Sequence, residues 1–445
     1  MRPKLPTLML AGLLAAPLAF AEPNPTQEVP DKLDLPTALN FALENNFAIR
    51  QAKERIREQE GVVVEVRGAA LPNVNASGQY QRNDVEISSN GYDNNWALDV
   101  TARQVLFAGG GVAANIKSQK FVLEAAVLSL KDVINNALLD VRFRFYTVLV
   151  NRERIKVQEQ SVELLQRQLQ DVKNRFEAGT VSNFEVLRAE VALANGQPDL
   201  ITARNDYRLS IEELRQSLGF TNHSDQALAK SPEFIGELQF TPITYDLKSS
   251  LATAREQRPD LQRLRKLEDA AEQGIIVSRS NYYPDVGLFG SYDWRRGVGP
   301  SASFSDGRNG WTAGVSSTWS IFDGRSTAGR VAQSKSRLAQ SKLSTEEAEL
   351  AVDVDVRRSI SNLQQASELA EASKKVVEQA EEAERLANAR FSAGTATQLD
   401  VLQTQVALTD ARLNQLRAYY TFNVAVVTLR RAMGLPDELI TRSGS

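Results

Sequence analysis

The chain has 445 residues, with 52 Lys and Arg against 55 Asp and Glu, a formal charge of −3. That balance lacks the basic excess of a nucleic-acid binder, so no nucleic-acid partner is expected. With no Cys and a single His, His223, disulfide frameworks, thiolate metal sites and Cys nucleophiles are excluded. A His triad or multi-His metal centre is excluded too, unless His223 acts with carboxylates alone. Carboxylate chemistry, cofactor binding, or a structural or transport role remains.

In chain order, residues 1–21 read as a secretory leader. Arg2 and Lys4 give the positive start, Leu8 to Leu18 the short apolar run, and Ala19-Phe20-Ala21 the cleavage site. Residues 22–34 follow as an N-terminal tail. The rest holds no run of 18 apolar residues, so no membrane-spanning helix is expected.

The remainder says the same thing twice. Arg175-Phe176-Glu177-Ala178-Gly179-Thr180 recurs 215 residues later as Arg390-Phe391-Ser392-Ala393-Gly394-Thr395, and Leu218-Gly219 recurs as Met433-Gly434. Trp96 and Trp311, and Phe107 and Phe322, share that spacing. Leu71-Pro72-Asn73-Val74 matches Tyr283-Pro284-Asp285-Val286 at 212. One offset held over so many landmarks means two copies of one unit, 35–219 and 246–434. Residues 220–245 read as a connector, and 435–445 as a C-terminal tail.

Each copy reads helix, strand, strand, very long helix, turn, helix. From about Gly110 to Ala178 there is no Pro, and none after Gly111 is Gly until the turn. Val141, Phe145, Val148, Ile155, Val162, Leu165, Leu169, Val172 and Phe176 recur at coiled-coil steps. Such a helix is roughly 100 Å long. The second copy repeats it to Ser392, with Val376, Val377, Ala380, Ala383 and Ala387 expected on one side. Gly179 and Gly394 end these helices as C′ glycines. Ser182 with Glu185, and Thr397 with Asp400, read as capping boxes opening the next helices. A soluble periplasmic coiled-coil adaptor or scaffold would look the same in its helices.

The strands discriminate. Four segments, about 72–82, 96–107, 284–294 and 311–322, alternate apolar with Asn, Ser, Gln, Asp and Thr. Their length, and the aromatics Tyr80, Trp96, Tyr292, Trp294, Trp311 and Trp319 near their ends, match strands of an outer-membrane barrel with interface aromatics. An ordinary sheet with one wet face is the alternative. Four strands cannot close a membrane barrel, and an open edge in lipid leaves backbone groups unsatisfied. Membrane strands therefore require several chains to share one barrel, with the long helices continuing it as a ring of coiled coils.

This arrangement resembles the TolC-like outer-membrane efflux proteins over nearly the whole mature chain. The resemblance rests on Leu35 to Leu43 with Asn45-Asn46, the Leu-Pro-Asn and Tyr-Pro-Asp pairs, Leu106-Phe107-Ala108-Gly109-Gly110, Ile321-Phe322-Asp323-Gly324, and both Arg-Phe-x-Ala-Gly-Thr turns. It implies a mainly α protein with a membrane β part: a homotrimer with a shared twelve-stranded β-barrel and a long α-barrel in the periplasm. It implies the exit duct of a tripartite efflux or type I secretion system, seated in outer-membrane lipid and docked to a periplasmic adaptor and an inner-membrane pump. Since the pump supplies the energy, catalytic residues, cofactors and metals are not expected. By position the adaptor-contacting tips are Gly179, Thr180, Val181 and Ser182 with Gly394, Thr395, Ala396 and Thr397. Asp400 matches an acidic entrance ring. Gln403 stands where family members have a second acid, and Ala396 where they can carry a basic latch.

Gly109-Gly110-Gly111-Val112-Ala113-Ala114 fits a loose dinucleotide fingerprint. The alternating strand before it and the very long helix after it do not belong to a βαβ unit. His223 falls in the connector. A carboxylate-dependent enzyme would need a concave site with perturbed acids, and pairs such as Glu346-Glu347 and Glu381-Glu382 sit among Lys and Arg on solvated helix faces.

Overall fold

A computed structural model describes residues 32–82, 84, 86, 94–220, 232–296 and 307–441. The leader, His223 and most of the loops between paired strands lie outside them. Strand β1 (Lys32–Leu33) leads into helices α1 (Leu35–Asn45) and α2 (Phe47–Gly68), strands β2 (Asn73–Arg82) and β3 (Asn94–Ala108), and helices α3 (Gly111–Glu177) and α4 (Asn183–Leu218). After β4 (Glu233–Phe234) the order repeats: α5 (Leu247–Gln257), α6 (Pro259–Arg279), β5 (Asp285–Arg295), β6 (Arg308–Thr318), α7 (Ser326–Ser392) and α8 (Gln398–Ala432), closed by α9 (Glu438–Thr441). Both long helices have 67 residues, about 100 Å each.

The duplication extends to the joints. Each copy breaks its first helix in two and presses the C′ glycine of its last helix onto that break. A Cβ on Gly219 would lie 2.3 Å from the Asn45 carbonyl oxygen, and one on Gly434 would lie 2.7 Å from the Arg258 nitrogen. Both glycines have positive φ, so the position demands glycine twice over. Asn46 caps α2 through its Oδ1 and donates to the Ser217 carbonyl at 2.7 Å. Pro259 opens α6 in the other copy, where its missing N–H costs nothing.

The main core lies mid-length, where α1, α3 and α4 meet the small parallel β1–β4 pair. Leu39, Val141, Phe145, Val148, Leu214 and Phe234 are buried there. A second cluster, Leu363, Ala366, Ala370, Phe422 and Leu429, joins α7 to α8. The chain after β4 is strapped across both: Arg152 donates to the carbonyls of Phe234 (2.6 Å) and Gly236 (2.8 Å), and Phe240 packs edge-on against Phe422 at 4.8 Å. At the chain's end Asp437 pairs with Arg142, both nearly buried.

The helix seams differ in detail from the sequence expectation. On α7 the buried stripe is Val352, Val356, Leu363, Ala366, Ala370, Val377 and Ala387, while Val376 is half exposed and Ala383 exposed. One residue is about 100° around a helix, so Val376 and Val377 cannot share a side. On α3 Phe176 is likewise exposed.

The four long strands form one antiparallel sheet in the order β2-β3-β5-β6, so β2 and β6 are its two edges. β6 starts three residues before and ends four residues before the expected 311–322. Its last residue, Thr318, pairs with Asp285, where β5 begins, so no partner remains beyond it. β3 carries a bulge between Val105 and Phe107, which sets Leu106 outside the ladder and resets the alternation.

Candidate channel entrance and membrane sheet

The register aligns the apolar residues of all four strands on one face. Val74, Ala76, Gly78 and Tyr80 stand opposite Ala102, Val100, Leu98 and Trp96. Leu98 and Val100 in turn stand opposite Trp294 and Tyr292, and Tyr292 opposite Trp311. Tyr80, Trp96, Tyr292, Trp294 and Trp311 thus gather at the loop end of the sheet, where the Trp96 and Trp294 rings meet edge to face at 5.3 Å. Trp319 lies apart from them, beyond β6 at the helix end, donating its indole N–H to the Tyr282 carbonyl at 3.1 Å. Phe107, Ile321 and Phe322 are exposed at that same end. From Trp96 to Phe107 the chain rises about 36 Å, or about 28 Å across a bilayer at a 40° tilt, close to the roughly 25 Å apolar band of membrane barrels. Trp311 is 78% exposed and Val74 and Val315 65%, and among the described residues no hydrophobic core cluster includes a residue of this sheet. A soluble sheet would cover such a face.

The opposite face carries Asn75, Ser77, Gln79, Asp99, Thr101, Ser291, Asp293, Thr312 and Ser316. Ser77 donates to the Asp99 carboxylate, and Ser291 and Arg295 to Asp293 at 3.1 and 3.0 Å. Val105 and Phe289 are its large apolar exceptions. Phe289 stands opposite Gly314, where an added Cβ would meet its ring at 3.0 Å, so the ring covers the strand where glycine leaves it bare. The glycine opposite is the signal the alternation alone does not show.

The strand-to-helix joint shows what the triple glycine does. Gly109 and Gly110 have φ of 58° and 78°, and Cβ atoms on Gly109 and Gly111 would lie 2.5 and 2.3 Å from the Ser280 carbonyl and hydroxyl oxygens. These glycines let β3 turn into α3 against the end of α6. In the second copy Arg325 holds the matching left-handed conformation (φ 69°), and the Asp323 carboxylate accepts from the Thr327 N–H at 2.7 Å.

At the far end of the long helices the two tips are built alike. Gly179 and Gly394 have φ of 71° and 74° with open space around them, so conformation alone requires glycine. The N–H of Thr180 reaches back to the Arg175 carbonyl, and that of Thr395 to the Arg390 carbonyl, each at 2.9 Å; both threonine hydroxyls donate to the same carbonyls. These bonds satisfy the helix C-terminus and explain the Gly-Thr pair. Val181 and Ala396 are half-buried, and Ser182 and Thr397 exposed.

The helices that follow begin differently. Thr397 and Asp400 form a full capping box: the Asp400 carboxylate accepts from the Thr397 N–H at 2.7 Å, and the Thr397 hydroxyl accepts from the Asp400 N–H at 3.3 Å. Ser182 makes no side-chain cap, so only the second of the two expected boxes exists. Hydrogen bonds from the Thr397 backbone and side chain, then the Arg390 charge, hold the Asp400 carboxyl below the ordinary aspartate range. Asp400 and Gln403 are both exposed, one turn apart on α8.

Toward these tips the seam between the two hairpins turns polar. Ser161 on α3 and Thr409 on α8 share a hydrogen bond at 3.3 Å, and Arg412 donates to Gln160 at 3.1 Å. Gln168 and Gln398 are buried, and neither amide finds a partner among the described residues. Glutamines on the buried stripes are the sequence signal for this softer seam. The described residues contain no grouping of acids and His able to hold a metal.

The sequence profile of outer membrane efflux proteins matches residues 38–220 and 251–435, one match per copy. The chain is 25% identical to outer membrane protein TolC of Vibrio cholerae over 68% of each protein. It is 24% identical to the cobalt-zinc-cadmium resistance protein CzcC of Cupriavidus metallidurans over 92% of this chain and 91% of that one. The crystal structure of the CmeC outer membrane channel of Campylobacter jejuni superposes with a TM-score of 0.77 at 14% identity, covering 92% of this chain and 88% of that one. With its duplicated helical hairpins and its membrane-length sheet, the chain belongs to the outer membrane efflux protein family, whose members are outer-membrane channels with a long periplasmic tunnel.

Proposed function

We propose that three copies of this chain form a passive duct through the outer membrane and periplasm, docked to a periplasmic adaptor and through it to an inner-membrane pump. One observation carries the sharing of a barrel between chains. The sheet has a membrane-length apolar face and two open edges, β2 and β6. In lipid each unpaired edge group costs several kcal/mol. β2 and β6 run antiparallel to each other, so β6 of one chain can pair with β2 of the next in the same sense as the existing ladder. Three chains then close twelve strands around the polar face, and the apolar face meets outer-membrane lipid with its tryptophans and tyrosines near the headgroups.

In this reading the helix tips at Gly179–Ser182 and Gly394–Thr397 form the periplasmic rim and meet the adaptor. Asp400 lines the entrance in three copies and favours cations. Gln403 adds no charge, and Ala396 offers no basic latch. The chain supplies a path and no chemistry, so it performs no catalysis and needs no cofactor. The test is single-channel recording in planar bilayers. The protein should conduct with no energy source, and Asp400→Ala should lower cation selectivity. Absence of any pore from correctly folded protein would end the reading, and an unchanged selectivity would remove Asp400 from the entrance.

A further inference from the structure

The two tips carry the same Arg-Phe pair at the same distance from the glycine turn, Arg175-Phe176 and Arg390-Phe391. The four residues are used unequally. The Arg175 guanidinium, near the end of α3, lies over the Phe391 ring at the end of α7, 4.5 Å from its centroid. Asp171, one turn back, steers Arg175 by an ion pair at 3.0 Å. The contact ties the first hairpin to the second within one chain, and both residues are half-buried. Their repeat counterparts, Arg390 and Phe176, are exposed, and among the described residues no cation–ring contact uses either.

The duplication says where the unused half goes. The operation that carries the first hairpin onto the second carries Arg175 onto Arg390. In a closed ring of three chains the same operation would carry the second hairpin onto the first hairpin of the next protomer, and so Phe391 onto Phe176 of the partner subunit. We propose that Arg390 stacks on Phe176 of the partner subunit, so that six Arg–Phe clasps, three within chains and three between them, fasten the tips into one rim. This rests on the trimeric reading above. The chemistry suits a wet rim: a guanidinium over an aromatic face keeps its donors in water while its plane is covered, and it tolerates small sliding. With Ala396 carrying no charge, the arginines before the turns are the cations placed to do this.

The chain has no cysteine, so introduced pairs report without background. Phe176→Cys with Arg390→Cys, treated with a thiol cross-linker longer than a disulfide, whose Cα atoms must lie within about 7 Å, should give covalent dimers and trimers on denaturing gels. Neither single variant should. Arg175→Cys with Phe391→Cys should cross-link within one chain and give no ladder. A trimer by sizing that shows no Phe176–Arg390 ladder overturns the clasp and leaves the duct standing; a monomer by sizing overturns the duct as well. A second readout needs no cross-link. Each exposed cation–π contact is worth about two- to fivefold in an equilibrium, so loss of three should speed trimer dissociation about ten- to a hundredfold. Phe176→Leu and Arg390→Gln should each do so, and together no more than either alone. Additive effects, or none, would contradict the contact.

Discussion

Thr397→Ala separates two roles that meet at Asp400. The substitution removes the hydroxyl that accepts from the Asp400 N–H at 3.3 Å and donates to its carboxylate at 2.8 Å. Losing such a cap costs about 1 kcal/mol, or about a fivefold rise in opening of the first turn of α8. Ser182 occupies the same repeat position but makes no side-chain cap, so Ser182→Ala should stay within about 0.5 kcal/mol. Hydrogen exchange by mass spectrometry, read on peptides covering 396–402 and 181–187, measures both. The expected result is a roughly fivefold loss of protection in the first and none in the second. Equal effects at both tips, or none at either, would refute the capping argument. The acid limb gives a second check. The Asp400 carboxyl is held below its ordinary value by the Thr397 backbone and side-chain bonds. A depressed carboxylate contributes stability above its unfolded value, about 3.9, and loses it as pH falls through the folded one. Protection of this turn, corrected for intrinsic exchange, should therefore hold from pH 7 to about 5 and fall only well below 4. In bilayers Thr397→Ala keeps the charge, so its cation selectivity should match the parent while that of Asp400→Ala drops. If both variants shift alike, the carboxylate acts at the entrance only as a cap.

Gly110→Ala should cost about 1–2 kcal/mol in backbone strain alone, because open space surrounds its Cβ position. Gly109→Ala adds a 2.5 Å collision with the Ser280 carbonyl and should abolish trimer yield, as judged by expression and gel mobility. Asp437→Ala leaves Arg142 buried without its carboxylate and should destabilise by about 3–5 kcal/mol; thermal unfolding in detergent checks it, and replacing both residues by apolar ones should recover much of the loss. The Asp260 carboxyl is pushed up by burial, but the hydrogen bonds and charge of Arg258 outweigh that and leave it lowered. The stabilisation from this pair should be intact at pH 7 and be lost below about pH 4, and Asp260→Asn should flatten that part of the acid-unfolding profile.

The duplication was readable because it is written in residues that backbone geometry demands. Gly179, Gly394, Gly219 and Gly434 need positive φ, and the last two also lie against backbone, so they recur wherever the unit recurs. The alternation of the strands was readable for the same reason, since the pleat fixes which residues share a face. What stayed hidden depends on partners that local sequence does not name. Ser182 and Thr397 precede an acid at the same spacing, yet only Thr397 turns its hydroxyl to the helix. Phe289 breaks the polar face because Gly314 stands opposite, and β6 stops at Thr318 because that residue faces Asp285, where β5 begins. Arg325 takes a glycine conformation that its own sequence gives no reason to expect. The expected stripe of α7 fails at Val376, which helix geometry alone sets about 100° from Val377, and at Ala383, whose exposure follows from the packing and not from its spacing.

The most direct measurement of the shared barrel is the gel mobility of detergent-extracted outer membranes, with and without boiling, alongside sizing of the purified protein. A shared barrel predicts a mainly helical oligomer about three times the chain mass that persists in cold detergent and falls to single chains on boiling. A single chain recovered from the water-soluble fraction, running the same before and after heating, would contradict it.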